Sequence, residues 1–173
     1  MKDGLSENLF RDCRQGDKTA YAVLVKRHYR SVFAVCLGLL GNIHDAEDMA
    51  QETMLKGFRK IKKLSSGKKF EAWILRIAKN LCIDFLRRRK RTKEIITEQM
   101  AVTTAAANEN HVLHQAVRRL PRELRLPLTM YYFEQKNAKF IAEKLNISHS
   151  GACQRIRDAR KMLHEILTER LEK

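Results

Sequence analysis

Asp45, Glu47, Asp48, Gln51 and Glu52 crowd one short stretch of a chain whose net charge is +15. Carboxylates this dense could hold a divalent cation or work as a general acid–base pair. Either task needs further ligands converging on the same place. His44 precedes the cluster, no other His falls at matching spacing, and no second ligand cluster appears. We therefore expect no catalytic residue, no metal and no cofactor. The rival reading is a metal-dependent nucleic-acid enzyme, which would show magnesium-dependent cleavage lost on Glu52→Gln. Asp48, Gln51, Glu52 and Leu55 follow the i, i+3, i+4, i+7 spacing that shares one stripe of a helix. An acidic stripe carrying one leucine, on an otherwise basic chain, predicts a docking surface for a basic protein partner.

The second chemical feature is the opposite in charge. Residues 68–91 read KKFEAWILRIAKNLCIDFLRRRKR. Ile74, Ile77, Ala78, Leu81 and Phe85 form an apolar stripe, with Leu75, Cys82 and Leu86 beside it. Arg76, Lys79, Asn80, Arg87 and Arg88 project elsewhere. Cations with an amide and with Phe70 and Trp73 nearby suit phosphate contacts, base-edge contacts and stacking on an unpaired base. Trp73 is equally suited to core packing. Composition alone supports nucleic-acid binding and goes no further.

A third feature lies near the C-terminal end. Phe140, Ile141 and Leu145 lie on one helix, Asn146-Ile147-Ser148 makes a turn, and Ile156, Ala159 and Leu163 pack a second helix. This is a helix-turn-helix pattern. Its second helix presents His149, Ser150, Cys153, Gln154, Arg155, Arg157 and Lys161, several of them suited to a major groove; the alternative is a helical hairpin with a polar outer face.

The elements that must position these side chains are helical. The chain has 173 residues, only seven Gly and two Pro, and no sustained period-two alternation that would mark a strand. Helices are expected at about 5–14, 17–40, 43–62, 69–91, 110–119, 122–134, 137–145 and 149–170. Asp17 is placed to cap the second, and Gly41-Asn42 breaks the chain before the third. Residues 32–40 are apolar but too short to span a bilayer, so they read as a buried helix. No signal peptide is seen, and the expected location is the cytoplasm. The four cysteines are widely separated without a C-x-x-C pair, which argues against a zinc site or a disulfide framework. Charge is uneven: +11 over residues 1–92, −2 over 93–110 and +6 over 111–173. The middle segment lacks an apolar face and reads as a tether. The expected fold is therefore all-α, two small helical domains at 1–92 and 111–173 joined by a flexible linker at 93–110.

Taken in order, these segments resemble the extracytoplasmic-function class of the bacterial sigma-70 family. The resemblance rests on Gly16-Asp17-x-x-Ala20-Tyr21, Asp45-Ala46-Glu47-Asp48-x-x-Gln51-Glu52-Thr53, Phe70-x-Ala72-Trp73-Ile74-x-x-Ile77-Ala78-x-Asn80 and Asp84-x-Leu86-Arg87-Arg88 in the first half. Leu120-Pro121-x-x-x-Arg125-x-x-x-x-x-Tyr131, Ile141-Ala142-x-x-Leu145 and Ala159-Arg160-Lys161-x-Leu163 carry it in the second. It implies a transcription initiation factor without enzymatic activity. Residues 1–92 would be sigma region 2 and residues 111–173 sigma region 4. Asp45, Glu47, Asp48, Gln51, Glu52 and Leu55 would dock on the clamp helices of the RNA polymerase β′ subunit. Phe70, Trp73, Arg76, Lys79, Asn80, Arg87 and Arg88 would recognise and melt the −10 promoter element. Ser148, His149, Ser150, Cys153, Gln154, Arg155, Arg157 and Lys161 would read the −35 element, and the same domain would touch the β flap. An anti-sigma factor is an expected partner, and membrane insertion is not.

The chain departs from the family at Ser150-Gly151-Ala152-Cys153-Gln154-Arg155, where Gly-Thr-Val-Lys-Ser-Arg is common, and at Phe140, where an acidic residue is usual. The loss of Thr and Lys removes a hydroxyl and a cation, and glycine inside a helix costs about 1 kcal/mol relative to alanine. The departures predict altered reading of the −35 element. The competing function is a stand-alone helix-turn-helix regulator whose first domain dimerises or senses a signal. That reading leaves the acidic stripe without a task.

Overall fold

A computed structural model describes residues 7–96, 109–134 and 137–171. Among the described residues there are eight α-helices, two short 3₁₀ turns and no strand. The helices are α1 (Glu7–Gln15), α2 (Lys18–Leu40), α3 (Ile43–Lys60), α4 (Phe70–Ile96), α5 (Glu109–Arg119), α6 (Arg122–Glu134), α7 (Ala138–Leu145) and α8 (His149–Leu171). Each coincides with an expected helix to within a few residues. The largest difference is at the end of α4, which runs on to Ile96 instead of stopping near 91. The greater part of the expected tether, 97–108, lies outside the described residues.

Local chemistry sets the boundaries. The Asp17 carboxylate accepts from the backbone N–H of Thr19 at 2.7 Å and of Ala20 at 3.1 Å, meeting donors that the first turn of α2 leaves unpaired. Gly41 ends α2 at φ 70°, a left-handed position open to glycine, and its N–H reaches the Leu37 carbonyl. The Asn42 side chain then caps α3 by accepting from the Asp45 N–H at 3.1 Å.

Helices α1 to α4 enclose one core, including Phe10, Leu24, Cys36, Ala50, Ile74 and Cys82. Phe70, Ile74, Ala78 and Cys82, spaced by four, are fully buried and form the inner stripe of α4. Gly57 lets α3 come close: a Cβ there would lie 2.5 Å from the Tyr21 hydroxyl and 2.6 Å from Ile74. The Tyr21 hydroxyl donates to the Met54 carbonyl at 2.8 Å, and burial, followed by nearby Cys13, raises its pKa. Helices α5 to α8 enclose two smaller clusters. One joins Ala116, Leu120, Leu128, Ala159 and Ile166; the other joins Met130, Ile141, Ala142, Ala152 and Ile156.

The two halves touch. Every residue from Val32 to Leu39 is buried, although α3 and α4 cover only one side of α2. Helix α6 covers the other. Thr129 donates to the Ala34 carbonyl at 3.0 Å, and the Phe133 ring meets Phe33 edge-on at 5.4 Å. Arg125 is buried, and a buried guanidinium is tolerable only when its donors are met. Its Nε donates to the Gly38 carbonyl at 3.0 Å, Nη2 to that of Leu39 at 3.4 Å and Nη1 to that of Arg118 at 3.1 Å. Burial, then the neighbouring Arg122 and Arg118, hold its pKa below the usual arginine range. A cation seated on the last carbonyls of a helix is favoured by the helix dipole.

Candidate functional site

Helix α3 buries Ala46, Ala50, Thr53, Met54 and Gly57 and turns its other face outward. Asp48, Gln51 and Leu55 are exposed on that face, Leu55 to 54%, and Glu52 is half-buried beside them. The stripe anticipated from spacing is thus a continuous ridge. Glu47 is exposed toward α2, where its charge, after burial, raises the pKa of the Tyr29 phenol. Asp45 is engaged differently: its carboxylate receives a hydrogen bond from Arg89 Nη1 at 2.9 Å, which ties the start of α3 to the basic end of α4. Next to the ridge runs an apolar groove of about 690 Å³ between α2 and α3, lined by Tyr21, Val25, Tyr29, Met54 and Phe58. Its α2 residues were missed in the sequence, because a half-exposed Val or Tyr on a helix carries no signal until its neighbour is known.

On α4, Arg76, Lys79, Asn80, Arg87 and Arg88 are all exposed, opposite the buried stripe. Trp73 is half-buried with its ring 5.8 Å from that of Phe70. Phe70 requires a correction. It is fully buried against Tyr21 and His28, so it supports the surface from beneath and does not offer its ring to a base. Near it lies a polar groove of about 660 Å³, lined by Arg11 and Arg14 of α1 and by Lys62, Ser65, Ser66 and Lys68 of the α3–α4 connection. Arg14 Nη2 donates to the Lys62 carbonyl at 3.4 Å across this gap. Sequence reasoning missed it because 48 positions separate its two sides.

The third surface is the start of α8. Asn146 takes a left-handed φ of 54° after α7, and Ser148 caps α8 by accepting from the Gly151 N–H at 3.0 Å. A Cβ at residue 151 would stand 3.0 Å from that hydroxyl, so glycine leaves the cap room. His149, Ser150, Gln154, Arg157 and Lys161 are exposed. Several bond to one another: Gln154 donates to Asp158 at 2.8 Å, Arg157 donates to Gln154 at 3.2 Å, and Cys153 lies 3.8 Å from His149. Arg155 departs from the expected groove-facing set. It is half-buried and lines a shallow cavity with Arg122, Glu123 and Leu145, on the side of α6 and α7.

Among the described residues, no three His, Cys, Asp or Glu side chains gather where a metal could be held, and no helix is long and apolar enough to cross a membrane. Cys13, Cys36 and Cys82 are buried. Burial, then Asp17 and Asp12, raise the pKa of the Cys13 thiol; the hydrogen bond with Cys82, then burial, raise that of Cys36.

Residues 24–92 match the family described as Sigma-70 region 2, and residues 110–163 match Sigma-70, region 4. The chain is 28% identical to the ECF RNA polymerase sigma factor SigW of Bacillus subtilis, over 90% of this chain and 93% of that protein. It is 32% identical to the RNA polymerase sigma factor SigZ of the same organism, over 70% of this chain and 72% of the relative. Its fold is similar to that of the sigma factor RpoE of Bartonella quintana, solved in complex with the anti-sigma factor NepR. The TM-score is 0.64 at 19% identity, over 86% of this chain and 96% of that one.

Proposed function

This chain belongs to the extracytoplasmic-function class of the sigma-70 family, and from that premise we propose how its surfaces divide the work of starting transcription. Members of that family are transcription initiation factors, and this chain is a sigma factor directing promoter-specific initiation. The polymerase performs the chemistry. Residues 1–92 act as region 2 and residues 111–173 as region 4, with 93–110 between them.

The ridge of Asp48, Gln51, Glu52 and Leu55 docks on the β′ clamp helices, with Glu47 at its flank. An acidic ridge isolated on a chain of charge +15 is the observation that carries this reading. Complementary charge steers encounter and selects the partner. Asp45 acts less as a contact than as an anchor for Arg89. The outer face of α4 lies along the −10 element: Arg76, Lys79, Arg87 and Arg88 take phosphates, while Asn80 and the open edge of Trp73 meet unpaired bases. The start of α8 enters the major groove of the −35 element, and the same half of the chain rests on the β flap. An anti-sigma factor is a further partner, of the kind with which RpoE of Bartonella quintana was solved in complex. A polymerase partner implies action in the cytoplasm.

The test is capture of purified core polymerase by the immobilised chain. Reversing Asp48 and Glu52 to Arg sets like charges against a basic partner, at a cost of several kcal/mol. The expected result is a loss of at least roughly a hundredfold in affinity, at 1.4 kcal/mol per factor of ten, with helix content unchanged. Undiminished capture by the double variant overturns the docking assignment. In vitro transcription on a promoter library then supplies the preferred −10 and −35 sequences.

A further inference from the structure

The stretch 150–155 places an amide, Gln154, on the exposed side of α8. A side-chain amide has two N–H donors at one end and two lone pairs at the other, and a free glutamine can present the ends in either order. At Gln154 the order is set. Nε2 donates to the Asp158 carboxylate at 2.8 Å, and Oε1 accepts from Arg157 Nη1 at 3.2 Å. An ionised carboxylate can only accept, and a guanidinium can only donate. Turning the amide over would set acceptor against acceptor and donor against donor. Asp158 is itself half-buried, so the anchor is held in turn by the helix beneath it. One N–H and one lone pair of the amide remain for a ligand.

We infer that Gln154 specifies an adenine in the −35 element, with Asp158 and Arg157 as its positioning residues. The inference rests on the proposed entry of α8 into the major groove. There adenine shows an acceptor at N7 beside a donor at N6, which answers the N–H and the lone pair left on the amide. Guanine shows two acceptors, thymine an acceptor and a methyl group, and cytosine one donor, so each leaves part of the amide unpaired. The neighbouring side chains are less suited to this task. The Ser148 hydroxyl caps the Gly151 N–H and lies 3.2 Å from that of Ser150. His149 meets Cys153, and Arg155 is half-buried beside α6 and α7. Lys161 has donors alone, which suit a phosphate. An amide ordered in the free chain also loses less freedom on binding.

The test is transcription by the full chain with core polymerase on a duplex library randomised upstream of the −10 element. The wild type should favour adenine over guanine at one upstream position by about fivefold or more. Gln154→Ala should bring that position to near parity. Gln154→Arg should turn it to guanine, whose N7 and O6 both accept from a guanidinium. Asp158→Ala and Arg157→Met free the amide to turn over, so the adenine preference should shrink in each, whereas Arg157→Lys keeps a donor and should restore it. A merely structural role for these residues would lower output from all sequences alike and leave the ratio between bases unmoved. An adenine preference that survives Gln154→Ala or Gln154→Arg overturns the base contact. A ratio unchanged in both Asp158→Ala and Arg157→Met overturns the positioning roles. Absence of any upstream base preference in every form, the wild type included, overturns the −35 assignment of α8 itself, and this inference falls with it.

Discussion

Helices α1–α4 and helices α5–α8 make two groups of four, yet they hold their surfaces by different means. The first group shares one continuous core, from Phe10 of α1 through Leu24 and Cys36 of α2 to Cys82 of α4. The second divides its apolar residues between two small clusters and rests α6 against α2. The functional faces differ in the same direction. The α3 ridge and the outer face of α4 stand on residues locked beneath them, with Phe70 and Ile74 fully buried. At the start of α8, by contrast, Gln154, Asp158 and Arg157 bond to one another along the surface. A deep core fixes a surface before any partner arrives; a shallow one leaves part of the fixing to the partner.

The largest test of this contrast is functional. Changing Arg87 and Arg88 to Glu replaces two exposed cations in the second half of the α4 rod with anions. Promoter opening should fall to background in a permanganate footprint, while capture of core polymerase stays at the wild-type level. Opening that persists would mean that the rod is not the element acting on the strands.

An equal truncation in each half sharpens the comparison further. Ile74 and Ile141 are both fully buried, and Ile→Ala in a core costs about 2–5 kcal/mol. Cutting Ile141 should release the second half, leaving a protected fragment near residues 7–92 under limited proteolysis. Cutting Ile74 should lower the melting temperature of the whole chain and leave no comparable fragment. The same digestion pattern from both variants would erase the distinction between one core and two.

These differences mark the limit of what the sequence conveys. All eight helices were legible, because Asp17, Gly41 and Asn42 punctuate the first half, and Pro121 and the Asn146-Ile147-Ser148 turn punctuate the second. The exposed ridge followed from helical spacing alone. Contacts between distant segments did not follow. Arg125 stood out only as one position of the Leu120-Pro121-x-x-x-Arg125 motif, and nothing local reveals that it lies on carbonyls 87 and 86 positions away. Phe70 resembled a stacking ring because its neighbours are cations, whereas the residues that enclose it, Tyr21 and His28, belong to α2. The Asp45–Arg89 pair was invisible for the same reason.

The smallest expected effect concerns the half with the shallower cores. Cys153→Lys adds one cation to the start of α8. For holoenzyme on promoter DNA, the slope of log affinity against log salt should steepen by about one unit. An unchanged slope would place residue 153 away from the phosphates.

The unbroken burial of Val32 to Leu39 also has a cost in time. A ribosome releases α2 well before it makes α6, with about 87 residues between the two sides of their contact. At about 5–20 residues per second, that strip stays bare for roughly 4–17 s in each round of synthesis. Nascent chains therefore pass through a sticky stage that the folded chain, with α6 seated on α2, does not show. A truncated product ending near residue 92 would remain in it, prone to clump or to be held by chaperones.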